Sequence, residues 1–320
     1  MTFASRLKTS AAAVGRNALG AVLGLGLAAA LLAQPLEAAA QTAPAAVPQA
    51  AAGSGPALWV IRDADSTIYL FGTVHVLRPT TAWGSPVVDA AFAASDEIWF
   101  EITNPDDVAA AQPLMAQYGI SPDRPLSSLL TAEEIATLDV AAGSIGATAA
   151  QLDPLRPWLV ALSLAVAPLS KAGYDANSGV ELVLRSRAQA AGKPVKGLET
   201  LEGQIQMLAG LSEDTQLAFL RATLADFENA TTTLDGLVGA WAVGDVAGIE
   251  RLGVTEMQSQ STELYDALLT RRNTNWAGQI ETMLAGSGTV FIAVGAAHLA
   301  GDDSVQEILA DRGVVAERVR

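Results

Sequence analysis

Thr289-Val290-Phe291-Ile292-Ala293-Val294-Gly295-Ala296-Ala297-His298 opens with six β-prone or apolar residues and runs straight into a glycine, two alanines and a histidine. An uninterrupted apolar run of this length reads as a strand covered on both faces, as in sheets sandwiched between helices. The other end of the chain carries its counterpart, Ile68-Tyr69-Leu70-Phe71-Gly72-Thr73-Val74-His75. Before it, Ala57–Arg62 is a second β-prone run, and Asp63-Ala64-Asp65-Ser66 has the composition of a turn, so 57–71 predicts a hairpin. Glu97–Glu101 and Pro194–Glu199 read as short buried strands, and Val314–Val319 as a last strand at an edge.

Between these strands the sequence is helical. A helix is expected near Ser85–Ala94. Asp106 to Asn177 is rich in Ala and Leu, and Thr131-Ala132-Glu133-Glu134 has the pattern of a capping box. Trp158–Leu169 is apolar all round but short, which predicts a buried core helix rather than a membrane span. Helices are expected from Ser178 to Gly192, between Leu201 and Ala285 with breaks at Ser212, Gly244 and Gly253, and from Ser304 to Arg312. Strands at both ends around a helical middle imply an α/β fold. Its central mixed sheet is built from N- and C-terminal strands, with a large helical insertion or cap.

The amino-terminal segment reads differently. Arg6, Lys8 and Arg16 precede an apolar run from Ala18 to Ala33, and Ala38-Ala39-Ala40 supplies small residues for cleavage. Residues 1–40 therefore predict a signal peptide and an exported, periplasmic protein with no membrane span after cleavage. Residues 41–56, rich in Ala, Pro and Gln, predict a linker. Residues 57–320 form the folded domain.

Composition narrows the chemistry. Nineteen Lys and Arg stand against 34 Asp and Glu, a net charge of −15, and no basic block interrupts the acidic background. Nucleic acid is a poor partner for such a chain, because neutralising phosphates takes clustered Lys and Arg. The absence of cysteine removes disulfides, thiolate metal sites and a Cys nucleophile. No Gly-x-Ser-x-Gly elbow and no strand-linked dinucleotide fingerprint is present. Imidazole chemistry must run through the two histidines, His75 and His298.

Both histidines follow a strand and a glycine three places earlier. With 28 Gly in 320 residues, chance gives that coincidence in about one case in a hundred. Glycine there lets the chain turn sharply and lets another group approach closely. Glu101 and Glu199 also close strands, so four strand exits would deliver His75, Glu101, Glu199 and His298 to the carboxyl-end rim where α/β sheets bind ligands. His75, His298 and Glu101 are candidate ligands of a divalent cation such as Mn²⁺, Co²⁺ or Zn²⁺. The remaining carboxylate would ligate too, or act as general base on a metal-bound water. Arg271, Arg272 and Asn273 precede a helix leading back to the His298 strand, and one of them is positioned to reach an anionic group.

These residues resemble the TraB/GumN, or TIKI-like, family. The resemblance rests on the 68–75 and 289–301 segments, Glu97–Ile102, Gly192-Lys193-Pro194-Val195-Lys196-Gly197-Leu198-Glu199-Thr200, and Arg271-Arg272-Asn273, and it spans nearly the whole mature chain. It implies a metal-dependent hydrolase acting on a peptide or protein substrate, with His75, His298 and Glu101 at the site and with Glu199, Arg271 and Asn273 as further catalytic candidates. Where the resemblance leads to Gly-Val-Asp, this chain has Gly179-Val180-Glu181, which lengthens the carboxylate by one methylene. A likeness of the family to erythromycin-esterase-like proteins supplies an alternative, a metal-independent His/Glu esterase. A non-catalytic binding or polysaccharide-export accessory protein is the third reading.

Overall fold

A computed structural model describes residues 47–51 and 55–319. The segment read as a signal peptide and most of the linker lie outside the described residues. Within that linker, Pro48 and Ala50 are held by backbone hydrogen bonds to Trp83 and Gly84, so its last part packs on the domain.

The expected hairpin forms. β1 (Leu58–Arg62) and β2 (Ser66–Thr73) pair antiparallel around the Asp63–Asp65 turn, where Asp63 accepts from the Asp65 and Ser66 amides. β3 (Glu97–Phe100), β4 (Val195–Gly197) and β5 (Gly288–Gly295) follow, and β6 (Glu317–Arg318) closes the edge beside β1. The sheet has the order β4-β3-β5-β2-β1-β6. β4, β3, β5 and β2 are mutually parallel, and β1 alone runs against them, antiparallel to both β2 and β6, which makes the sheet mixed. β5, from the end of the chain, sits centrally between β2 and β3.

Its apolar run is explained by cover on both faces. Val290, Ile292 and Val294 pack with Trp276, Ile280 and Leu309 from two carboxyl-terminal helices. Phe291 and Ala293 face the larger core built from the helical middle. Phe291 meets Phe71 at 5.8 Å and Phe92 at 5.5 Å between ring centroids. Each such side chain stabilises the fold by about 1.5–3 kcal/mol through burial, and a polar residue at any of these positions would forfeit that on one face or the other.

The helix Pro157–Lys171 starts with Pro157 in its first turn, where the missing N–H costs nothing. Trp158, Leu162, Leu164 and Leu169 are fully buried in it, as expected of a core helix. No helix among the described residues is long and apolar enough to cross a membrane. Thr131 and Glu134 make the reciprocal capping bonds that begin the helix Ala132–Ala142. The expected break at Gly253 does not occur: Gly253 lies inside a π-helical turn, Glu250–Val254, and the chain stays helical through it. A second π turn, Asp266–Thr270, runs directly into the helix Arg271–Leu284.

The helical middle is tied to the sheet where the chain leaves β2. Trp241, fully buried, donates its indole N–H to the Gly72 carbonyl at 2.7 Å. A Cβ on Gly72 would lie 3.2 Å from Ala296, so glycine here permits the two strand-exit loops to touch.

Candidate active site

Because β2, β3, β4 and β5 are parallel, their carboxyl ends share one rim. That rim carries His75 two residues beyond β2, Glu101 at the end of β3, Glu199 beyond β4, and His298 in the 3-10 turn Ala296–Leu299 after β5. His75 (4% exposed), Glu101 (2%) and His298 (0%) are buried.

His75 forms a pair with a carboxylate that composition and spacing had not linked to it. Its Nδ1 lies 2.8 Å from Glu181 Oε1, and the Thr73 hydroxyl donates to the same oxygen. Glu181 stands in the first turn of the helix Val180–Ala190, which is docked by the Val180 amide donating to the Val74 carbonyl at 3.0 Å. Burial lowers the His75 pKa, but the Glu181 charge and hydrogen bond, with Glu101 behind them, outweigh it and hold the imidazole above its ordinary 6.5. Its other nitrogen, Nε2, is buried without a hydrogen-bond partner. His75, Glu101 and Glu181, with Phe100, Ile102, Pro105 and Leu182, line a cavity of about 20 Å³, room for roughly one water molecule.

The second cluster is built around Arg272, only 5% exposed. Its Nη2 donates to Glu101 Oε2 at 2.6 Å, and its Nε to Glu199 Oε1 at 2.9 Å. Its Nη1 lies 3.0 Å from His298 Nε2. Glu101 also accepts from the Gly295 amide at 2.8 Å and from Gln204 at 3.1 Å, while Glu199 accepts from Gln204 and from the Trp276 indole at 3.0 Å each. Burial raises the Glu101 pKa, but the Arg272 charge, with the Gly295 amide, prevails and holds it at about 2. Burial likewise opposes the Arg272 charge, and Glu101 and Glu199 overcome it. His298 is clamped on its other side, Nδ1 lying 2.5 Å from Asn273 Oδ1, and its ring sits 4.3 Å from that of Trp276.

The structure therefore brings His75, Glu101, Glu199, Asn273 and His298 to one rim. It corrects Arg271. That residue is exposed, near Glu263, and its neighbour Arg272 enters the cluster instead. Successive helical residues are about 100° apart, so only one of the two can face the sheet. Glu181, Arg272, Gln204 and Trp276 complete the site, and of these only Glu181 and Arg272 lay in segments already marked out in the sequence.

A family model described as the TraB/PrgY/gumN family matches residues 57–318, the whole sheet and every residue of this rim. The chain belongs to that family. It is 28% identical to the uncharacterised protein YbaP of Escherichia coli over 184 residues, 58% of this chain and 67% of the relative. It is 22% identical to an uncharacterised protein of Treponema pallidum over 279 residues, 79% of this chain and 80% of the relative. No solved structure matches.

For this TraB/PrgY/gumN member, a resident divalent ion needs about three protein ligands converging on one point. Among the described residues, no group of three or more His, Asp or Glu side chains is arranged to hold one. His298 offers Nε2 to Arg272 and Nδ1 to Asn273, and Glu101 already accepts three hydrogen bonds. This arrangement does not fit the ion. What it does present is an imidazole oriented by a carboxylate, its far nitrogen buried without a partner, in a residue that lines a water-sized cavity together with a carboxylate held ionised.

Proposed function

We propose that this chain is a hydrolase that cleaves an amide or ester bond with a water molecule activated by His75. The observation that carries the reading is the unpartnered, buried Nε2 of a histidine whose Nδ1 is engaged by Glu181 at a water-sized cavity. With Nδ1–H donated to Glu181, the Nε2 lone pair accepts a proton from the water as it attacks a carbonyl, and the Glu181 charge stabilises the imidazolium that forms. Glu101, ionised at the cavity wall, adds to that stabilisation. The leaving group takes the proton back from Nε2, which closes the cycle. A peptide or protein substrate is the class the family resemblance favours. The basic, apolar and small-residue order of residues 1–40 supports export to the periplasm.

The test is turnover by residues 41–320 on panels of peptides and esters, with and without chelator, for wild type and His75→Gln. Hydrolysis that survives chelation and disappears in the variant is the expected result. Turnover lost on chelation and restored by Mn²⁺, Co²⁺ or Zn²⁺ would overturn the metal-free route and favour a metal-dependent peptidase. No turnover on either panel, with ligand affinity retained, would favour the binding or export-accessory reading.

A further inference from the structure

We propose that Arg272 is the fixed internal cation of the rim, standing where a metal ion would bind, and that His298 is a positioning residue held as a neutral acceptor. This goes beyond the hydrolase reading and does not depend on it.

Asp303 anchors this set of contacts. Its carbonyl accepts the Asn273 Nδ2–H at 2.7 Å, which fixes the side-chain amide with Oδ1 toward His298. An amide oxygen only accepts, so the proton between Asn273 and His298 must sit on Nδ1. Arg272 only donates, so the Nε2 atom facing it at 3.0 Å must present its lone pair. Both contacts specify the same ring state, an imidazole protonated on Nδ1 and neutral. His298 thereby fixes the third side of a guanidinium already bonded to Glu101 and Glu199 and to the Leu268 carbonyl at 3.1 Å. The planar fork matches these acceptors in direction, which a lysine ammonium would not.

One imidazole nitrogen and two carboxylates around a central positive charge are also the donor set of a divalent ion. The same acceptors cannot serve a guanidinium and a metal at once. The wild-type rim should therefore exclude divalent ions, and removal of the guanidinium should admit one to His298, Glu101 and Glu199.

The experiment is a Co²⁺ titration of wild type and Arg272→Ala, followed by visible absorption. It is joined to ¹⁵N ring spectra of the two histidines, assigned with His75→Gln. Wild type is expected to show His298 protonated on Nδ1 with unprotonated Nε2, and spectra unchanged by Co²⁺. The variant is expected to bind about one Co²⁺ per chain, with Co²⁺ absorption bands and loss of the His298 ring signals. Wild-type binding through His298, a proton on its Nε2, or a folded variant that takes no Co²⁺ would each overturn the proposal. If Arg272→Ala does not fold, the wild-type ring state and Co²⁺ titration decide: the expected pair upholds it and either departure refutes it. Because ring state and metal uptake are read without turnover, a failed hydrolase reading leaves this result intact, and the reverse also holds.

Discussion

Gly179→Ala tests whether the His75–Glu181 pair is set by a backbone contact. Gly179 has φ −58° and ψ 139°, a conformation alanine adopts freely, so no backbone strain follows from the substitution. The cost comes from space. A Cβ at Gly179 would stand 2.2 Å from the His75 carbonyl oxygen and 2.9 Å from that of Ala176. A carbon–oxygen contact settles near 3.3 Å or more, so the two segments must part by about 1 Å. Both clashing atoms are backbone, and neither can swing aside. Overpacking of this kind costs about 1–3 kcal/mol, which at about 2–4 °C per kcal/mol lowers the Tm by roughly 2–12 °C for a domain of this size. The separation also carries Glu181, two residues on, away from His75. A 1 Å misplacement of a catalytic group costs on the order of 100-fold in rate. Loss of the Glu181 contact lets the His75 pKa fall from its raised value. Thermal denaturation and a histidine C2–H titration read both consequences. Gly239→Ala is the control: this glycine lies in the helix Ala230–Ala242, and a Cβ there meets nothing within 4 Å. It should stabilise by about 0.5–1 kcal/mol through helix propensity. A Gly179→Ala protein with wild-type Tm and an unchanged His75 titration would refute the contact argument.

Glu181→Gln removes the charge that raises the His75 pKa. The acid limb of the pH–rate profile should move to lower pH while the plateau rate falls, because the imidazolium loses its partner. The stability this pair contributes is present below pH 6.5 in the wild type and lost as pH rises through the raised folded value; the variant should lack that window in urea titrations at several pH values. Glu101→Gln acts in the opposite window. The wild-type carboxylate, held at about 2, contributes stability above about pH 4.5 that disappears as pH falls toward 2. The variant should be about 3–5 kcal/mol less stable at neutral pH, because Arg272 loses a buried partner, and the gap should narrow across that acid range. Arg185→Ala releases the ion pair to Asp106 and the bond to the Thr103 carbonyl, which tie down the loop carrying Ile102 and Pro105. Hydrogen exchange should quicken at residues 102–107, with a global cost below about 1 kcal/mol.

The parts of this site that are legible in the sequence are those fixed by neighbouring residues. A strand followed by glycine and histidine announces itself locally, and the four strand exits could be named because parallel strands end on one side. Partners brought from afar left no such trace. Glu181 lies 106 residues from His75, and only the wider family pattern singled out Gly179-Val180-Glu181. Arg272 against Arg271 is a matter of helical phase. The π turn Asp266–Thr270 runs directly into the pair and shifts the helical phase relative to a regular α-helix, so the sequence alone does not say which arginine faces the sheet. The same effect hid Gly253, which a π turn absorbs without breaking the helix.

Helical phase and partner identity also explain why two histidines with the same local signature take unlike roles. Each follows a parallel strand and a glycine, and each is buried. His75 meets a carboxylate at Nδ1 and nothing at Nε2, so a lone pair remains for chemistry and a nearby charge to stabilise its protonated form. His298 meets an amide oxygen at Nδ1 and a guanidinium at Nε2, so both nitrogens are spent on holding their neighbours. The chemistry of the rim is thus set less by the repeated motif than by what three helices bring to it. The helix Val180–Ala190 delivers a negative charge to one histidine, Arg271–Leu284 a positive charge to the other, and Leu201–Ala209, through Gln204, bridges the two carboxylates between them.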